Sequence, residues 1–118
     1  MQLVDLSPGR ATPVREFEAA GAAALALAAG AGSAHIYTLY LEPGGRIGPH
    51  LAGFGQVLIP LTGSGWVAGA DGVQFALVPG QGAYWSRGEL HSKGSEAGMT
   101  ALMIQVRDLS LESQPAGA

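Results

Sequence analysis

Three histidines, no cysteine and nine acidic residues are the material this 118-residue chain has for chemistry. His50 and Gln56 stand six positions apart, an even offset that puts both side chains on one face of a sheet if the segment is extended. His91 comes from a distant part of the chain, and in a closed β-barrel inward positions on non-adjacent strands converge. Two imidazoles and an amide oxygen would then meet around one ion. Neutral imidazoles suit Zn, Cu, Fe, Ni or Mn, and two histidines with one oxygen donor on a shared face leave positions open for substrate. Such a donor set neutralises none of the ion's charge, so a substrate carboxylate or enolate would supply the missing anion and tie metal affinity to substrate. Other roles stand beside these: a histidine can be a satisfied core or surface residue, and Gln56 can bond neighbouring backbone groups. Glu89 and Tyr84 are the candidate acid–base groups, with a solvated loop acid as the plainer role for Glu89.

The elements that must position these residues are short and turn-rich. Nineteen glycines and seven prolines without a tripeptide period point to an all-β barrel or sandwich, and the length suits one domain. Ala34 to Leu41 alternates, with His35, Tyr37, Leu39 and Leu41 on one face and Ile36, Thr38 and Tyr40 on the other. Ala22 to Ala29 reads as a strand paired with it, turning at Gly30 to Ser33 to make a hairpin. Pro43-Gly44 suits a type II turn, and Asp71-Gly72 a hairpin between Trp66-Val67-Ala68 and Val73 to Val78. Gly63-Ser64-Gly65 reads as a hairpin turn rather than a nucleophile site. Pro60 belongs at an edge or bulge of the strand from Gln56 to Leu61. Met99 to Val106 is apolar almost throughout, as a strand buried on both faces would be. The expected core spans about residues 20–107, with 108–118 a flexible tail.

Composition excludes several classes. With 13% charged residues and a net charge of −3, the chain lacks the basic excess of a nucleic-acid binder. Ala19 to Leu41 carries no Asp, Glu, Lys or Arg, yet it is rich in Ala and Gly and broken at Gly30 to Ser33, which argues against a membrane span. The absence of cysteine fits a cytoplasmic protein. His35 reads as a core or surface histidine, and Trp66, Trp85, Tyr37 and Tyr40 as barrel packing or pocket mouth.

Two segments carry a family resemblance. GGRIGPHLAGFGQVLIPLTG, Gly44 to Gly63, resembles the first motif of the cupin superfamily, and PGQGAYWSRGELH, Pro79 to His91, resembles the second. Together they cover about two fifths of the chain. The first has Ala52 where the family has its second histidine and Gln56 where it has glutamate; the second has Ser86 in place of a proline. The resemblance implies a small cupin-like double-stranded β-helix, or jelly-roll barrel, with His50, Gln56 and His91 as ligands of a divalent transition metal (Fe, Mn, Ni, Zn or Cu). It also implies a small-molecule ligand, dioxygenase or isomerase chemistry, and a homodimer built through sheet edges or exchanged terminal strands, with Met1 to Leu6 as a candidate. Two alternatives stand: a non-catalytic small-molecule sensor without a full metal site, and a metal-free epimerase-like enzyme using His and Tyr side chains.

Overall fold

The computed structural model describes residues 1–112. These contain eleven strands, one 3-10 turn at Pro8–Arg10 and no α-helix. In chain order the strands are β1 (Gln2–Asp5), β2 (Thr12–Pro13), β3 (Ala23–Ala24), β4 (Ala28–Leu41), β5 (Arg46–Leu51) and β6 (Gly55–Gly63). They continue as β7 (Gly65–Ala68), β8 (Gln74–Leu77), β9 (Gln81–Trp85), β10 (Leu90–Gly94) and β11 (Met99–Leu111). One sheet runs β1-β9-β6-β11-β4, a second runs β5-β10-β7-β8, and β2 with β3 forms a separate ribbon. Every pairing is antiparallel, so the all-β architecture expected from the turn-rich composition and the jelly roll implied by the family resemblance are what form.

The core lies between the two large sheets. Leu58, Ala83, Trp85, Met99, Ala101 and Met103 come from the first, and Val67 and Leu77 from the second. Trp85 is fully buried, and its indole N–H donates to the Ala68 carbonyl at 3.1 Å, which ties the sheets together while satisfying the one polar group of the ring. Leu39 and Leu41 of β4 also pack against this cluster, as their shared face predicts. Directly above it, one inward row crosses four strands. Gln105 pairs with His35 on one side and Gln56 on the other, and Gln56 pairs with Trp85.

Several local expectations are met. Gly45 N–H donates to Glu42 O at 2.7 Å across the Pro43-Gly44 turn, and Asp71-Gly72 joins β7 to β8. Pro60 sits opposite Ala101 beside a register shift, the bulge position where its missing donor is tolerated.

Others are corrected. Gly30 to Ser33 is no hairpin turn: the chain runs straight through it as β4, and Ala22 to Ala29 contributes only β3 and the start of β4. The reason is close approach across the ladder, since a Cβ at Gly30 would stand 2.7 Å from Asp108 O and 2.9 Å from Val106 Cγ1, beside a register shift in β11. The expected tail from Asp108 is strand through Leu111, where it pairs with Ala28 to Ala31, and Glu112 N–H donates to Leu27 O at 2.8 Å; 113–118 lie outside the described residues. β11 is buried on one face only, with Met99, Ala101 and Met103 buried and Thr100, Leu102 and Ile104 half-buried. Apart from these corrections, Met1 to Leu6 contributes β1, an edge strand beside β9.

Gly63-Ser64-Gly65 does not make a hairpin either, because β6 and β7 belong to different sheets. Gly63 takes φ +78 there, and a Cβ on it would collide with the Gly98 carbonyl oxygen. Gly63→Ala therefore combines left-handed strain with a backbone clash and is expected to cost about 2–4 kcal/mol in chemical denaturation. A variant as stable as its parent would contradict this account of the crossover.

Candidate metal centre

The site is built where the second sheet meets that inward row. His50 on β5 and His91 on β10 are direct cross-strand partners, with ring centroids 4.3 Å apart and planes inclined at 54°. Two residues of β10 oppose three of β5 just beyond this pair, so β5 carries an extra residue around Gly48 and Pro49. That irregularity brings the Gly48 carbonyl to 2.8 Å from His50 Nδ1. A carbonyl only accepts, so Nδ1 carries the proton, and in the neutral ring the lone pair is then on Nε2, the arrangement in which a backbone partner orients a histidine for ligation. His50 is exposed at the cleft mouth, whereas His91 is fully buried beneath it.

His91 is chemically unusual. Neither of its ring nitrogens has a hydrogen-bond partner, although both are buried. Its ring lies 4.9 Å from Trp85, the strand neighbour of Gln56. Burial first, then the Lys93 ammonium, then His50, bring its pKa down from 6.5 to about 3, so it stands neutral with a free lone pair. Gln56 enters from the first sheet, 4% exposed, and its Oε1 is likewise buried without a partner. Buried polar atoms are ordinarily paired, and these three orphans sit on two residues that both neighbour Trp85.

His50 and Gln56 share an open cleft of about 320 Å³ with His35, Leu51, Gly53, Phe54 and Gln105. That volume lies at the small end of the range for small-molecule sites. The structure thus brings together His50, Gln56 and His91. Among the described residues no three His, Cys, Asp or Glu side chains gather, so the amide is needed to complete a three-donor set. The donors fit a borderline divalent ion: two neutral imidazoles and an amide oxygen, with orphaned atoms on His91 and Gln56.

Tyr84 and Glu89 are not brought to this set. Tyr84 follows Ala83 and precedes Trp85, both fully buried, so it faces away, and its hydroxyl donates to Leu109 O at 2.9 Å. Glu89 accepts from the Met1 ammonium and from Ser86 N–H. Ala52 is 2% exposed, and its backbone is held by Glu89 O at 2.9 Å and Gly88 N–H at 2.7 Å.

Three further residues belong to the neighbourhood. His35, assigned above to core or surface, stands on the cleft wall with its ring 5.5 Å from Phe54. Gln105 lies between it and Gln56, and its Nε2 donates to Tyr37 OH at 3.2 Å. A glutamine in an otherwise apolar strand was the signal for that row. Lys93 is 2% exposed, opposite the buried Val67, with Nζ 5.2 Å from the centroid of the Trp85 ring. Burial lowers its pKa from 10.5 to about 8. Its two-residue spacing from His91 was the signal for a shared face.

No family model matches the chain. It is similar to (R)-mandelonitrile lyase of Granulicella tundricola, 38% identical over 68 residues, which are 56% of this chain and 52% of the relative. The match therefore spans about half the length of that curated relative. Among solved structures, a cupin superfamily protein from Desulfitobacterium hafniense superposes with a TM-score of 0.59 at 17% identity, over 92% of this chain and all of its own. A double-stranded β-helix protein from Klebsiella pneumoniae superposes with a TM-score of 0.58 at 14% identity, over 90% and 93%. The fold is that of the cupins, a double-stranded β-helix.

Proposed function

We propose that this small cupin-fold chain is a divalent-metal lyase that makes or breaks the carbon–carbon bond of a small α-hydroxynitrile. The metal reading is carried by one observation, the orphaned Oε1 of Gln56 and ring nitrogens of His91 beside the backbone-oriented His50. The reaction class is supported by the similarity to (R)-mandelonitrile lyase. Dioxygenase or isomerase activity rests on fold alone, and one fold hosts many chemistries.

His50 Nε2, one ring nitrogen of His91 and Gln56 Oε1 would hold the ion. When bound, it supplies a Lewis acid for the substrate oxygen. The remaining work falls to the protein. Gly48 O keeps the His50 ring in one tautomer, and Trp85 walls the buried side of His91 from water. Phe54 and Leu51 offer apolar surface to an aryl or alkyl substituent. His35, the one imidazole of the cleft outside the donor set, is suited to take the hydroxyl proton. As the O–H pair becomes the carbonyl bond, the carbon–carbon pair leaves with cyanide, which receives the proton.

Metal analysis of tag-free protein, with aldehyde release from mandelonitrile followed by ultraviolet absorbance, tests both halves. The expected result is stoichiometric metal and aldehyde release, both lost in His50→Ala and His91→Ala. Protein that takes up no divalent ion removes the metal reading, and metal without aldehyde removes the lyase reading.

A further inference from the structure

We propose that Lys93 makes this barrel interior an anion site, taking a small monovalent carboxylate or pseudohalide between its ammonium and the His50, Gln56 and His91 donor set. The assignment of an anionic ligand rests on the cleft being the ligand site of the protein. It does not rest on a metal being bound.

The buried polar and charged residues, among those described, are Gln56, His91, Ser92, Lys93 and Ser95, and Lys93 is the one that carries a formal charge. It makes no ion pair among the described residues. Lysine is almost never fully buried unless paired, because removing an ammonium from water costs several kcal/mol, on the order of what a whole domain has to spare. Its direction is fixed by register. Lys93 pairs with Val67, which is fully buried in the core, and its Nζ crosses to the opposite sheet to lie over Trp85. The Trp85 ring also touches His91, whose ring in turn meets His50 at the cleft. The ammonium and His91 therefore lie against the same indole, with His50 next to His91. A cation–π contact offsets part of the desolvation and leaves the charge itself uncompensated.

The carboxylate nearest to this strand in the sequence is already engaged. Glu89, which precedes this strand, is tied to the Met1 ammonium and to Ser86 N–H. His50, Gln56 and His91 bring lone pairs without negative charge. A site with neutral donors and a fixed buried cation favours a ligand that carries the missing negative charge, and the more so if a divalent ion enters as well. The cleft that His50 and Gln56 line is about 320 Å³, which suits small groups. A carboxylate on an organic acid and a free linear pseudohalide share the chemistry required.

The test uses the full chain after chelator treatment, so its failure and the failure of the metal reading are separate results. Thermal unfolding and titration calorimetry are run at constant ionic strength with acetate and with azide, on wild type, Lys93→Met and Lys93→Arg. Wild type is expected to show saturable stabilisation and heat with at least one anion. Lys93→Arg keeps this response. Lys93→Met binds the anion about tenfold more weakly or worse, as the loss of a charge-assisted hydrogen bond predicts, and without anion it melts no lower than wild type. A response to acetate alone assigns a carboxylate ligand, and a response to azide alone a pseudohalide. No saturable response in wild type overturns the proposal, whether or not the methionine variant folds. Equal responses in wild type and Lys93→Met overturn it too.

Discussion

Replacing His91 by leucine is expected to raise the stability of the metal-free protein by about 1–3 kcal/mol while abolishing the stabilisation that a divalent ion confers on the parent. Both halves follow from the same two atoms. The His91 ring nitrogens are buried with no hydrogen-bond partner, so in the metal-free state the protein bears their desolvation without return. Leucine removes the polar atoms and keeps apolar contact with Trp85, whose ring lies 4.9 Å away. A His91 held only for packing would behave differently. Its replacement would leave a cavity or a clash, and metal-free stability would fall. Urea denaturation of both proteins, with chelator and with excess Mn(II) or Zn(II), separates the cases. A leucine variant that is destabilised in chelator and still stabilised by metal would refute the placement of His91 as a ligand held ready.

Acid should unfold this protein earlier than its few carboxylates would require. Above about pH 6.5, folded and unfolded chains both hold His91 neutral, and it adds no pH dependence. Below that value the unfolded chain binds a proton that the folded chain refuses until about pH 3, because burial, Lys93 and His50 all disfavour the imidazolium. Stability is therefore full above the unfolded value and is lost as pH falls toward the folded one. The loss amounts to about 3 kcal/mol by roughly pH 4. Urea midpoints measured from pH 7.5 to 4 on wild type and His91→Leu isolate this share, since every other titrating group is common to both. Parallel pH profiles would show that His91 is not the group responsible. Bound metal should hold the wild-type midpoint against mild acid until protons displace it.

The division between what was readable in the chain and what was not falls along sheet pairing. His50, Gln56 and His91 could be named because they fall within two short motifs. The shared face expected from the even offset of His50 and Gln56 is not what forms, since the strand breaks at 52–54 and puts His50 on β5 in one sheet and Gln56 on β6 in the other. Only along an unbroken strand does the two-residue period assign a face. The alternating face of His35, Tyr37, Leu39 and Leu41 was legible for the same reason, as was the Pro43-Gly44 turn. The hairpin expected at Gly30 to Ser33 failed because glycine signals a turn and a close backbone approach alike. Only the partner strand, with Asp108 O and Val106 against Gly30, distinguishes the two.

The same limit governs the site. The sequence by itself determined the fold class and named His50, Gln56 and His91 as candidate donors with no negative charge among them, since these are matters of residue type and short motifs. Tertiary structure alone decided that β4, β11, β6 and β9 line up His35, Gln105, Gln56 and Trp85 in one row, and that Glu89 and Tyr84 are engaged elsewhere. It also decided that Lys93 is buried beside the donors. Long-range register sets which side chains meet and which lose their water. Burial is what turns an ordinary histidine and lysine into a neutral imidazole with no hydrogen-bond partner and a cation with no ion pair among the described residues.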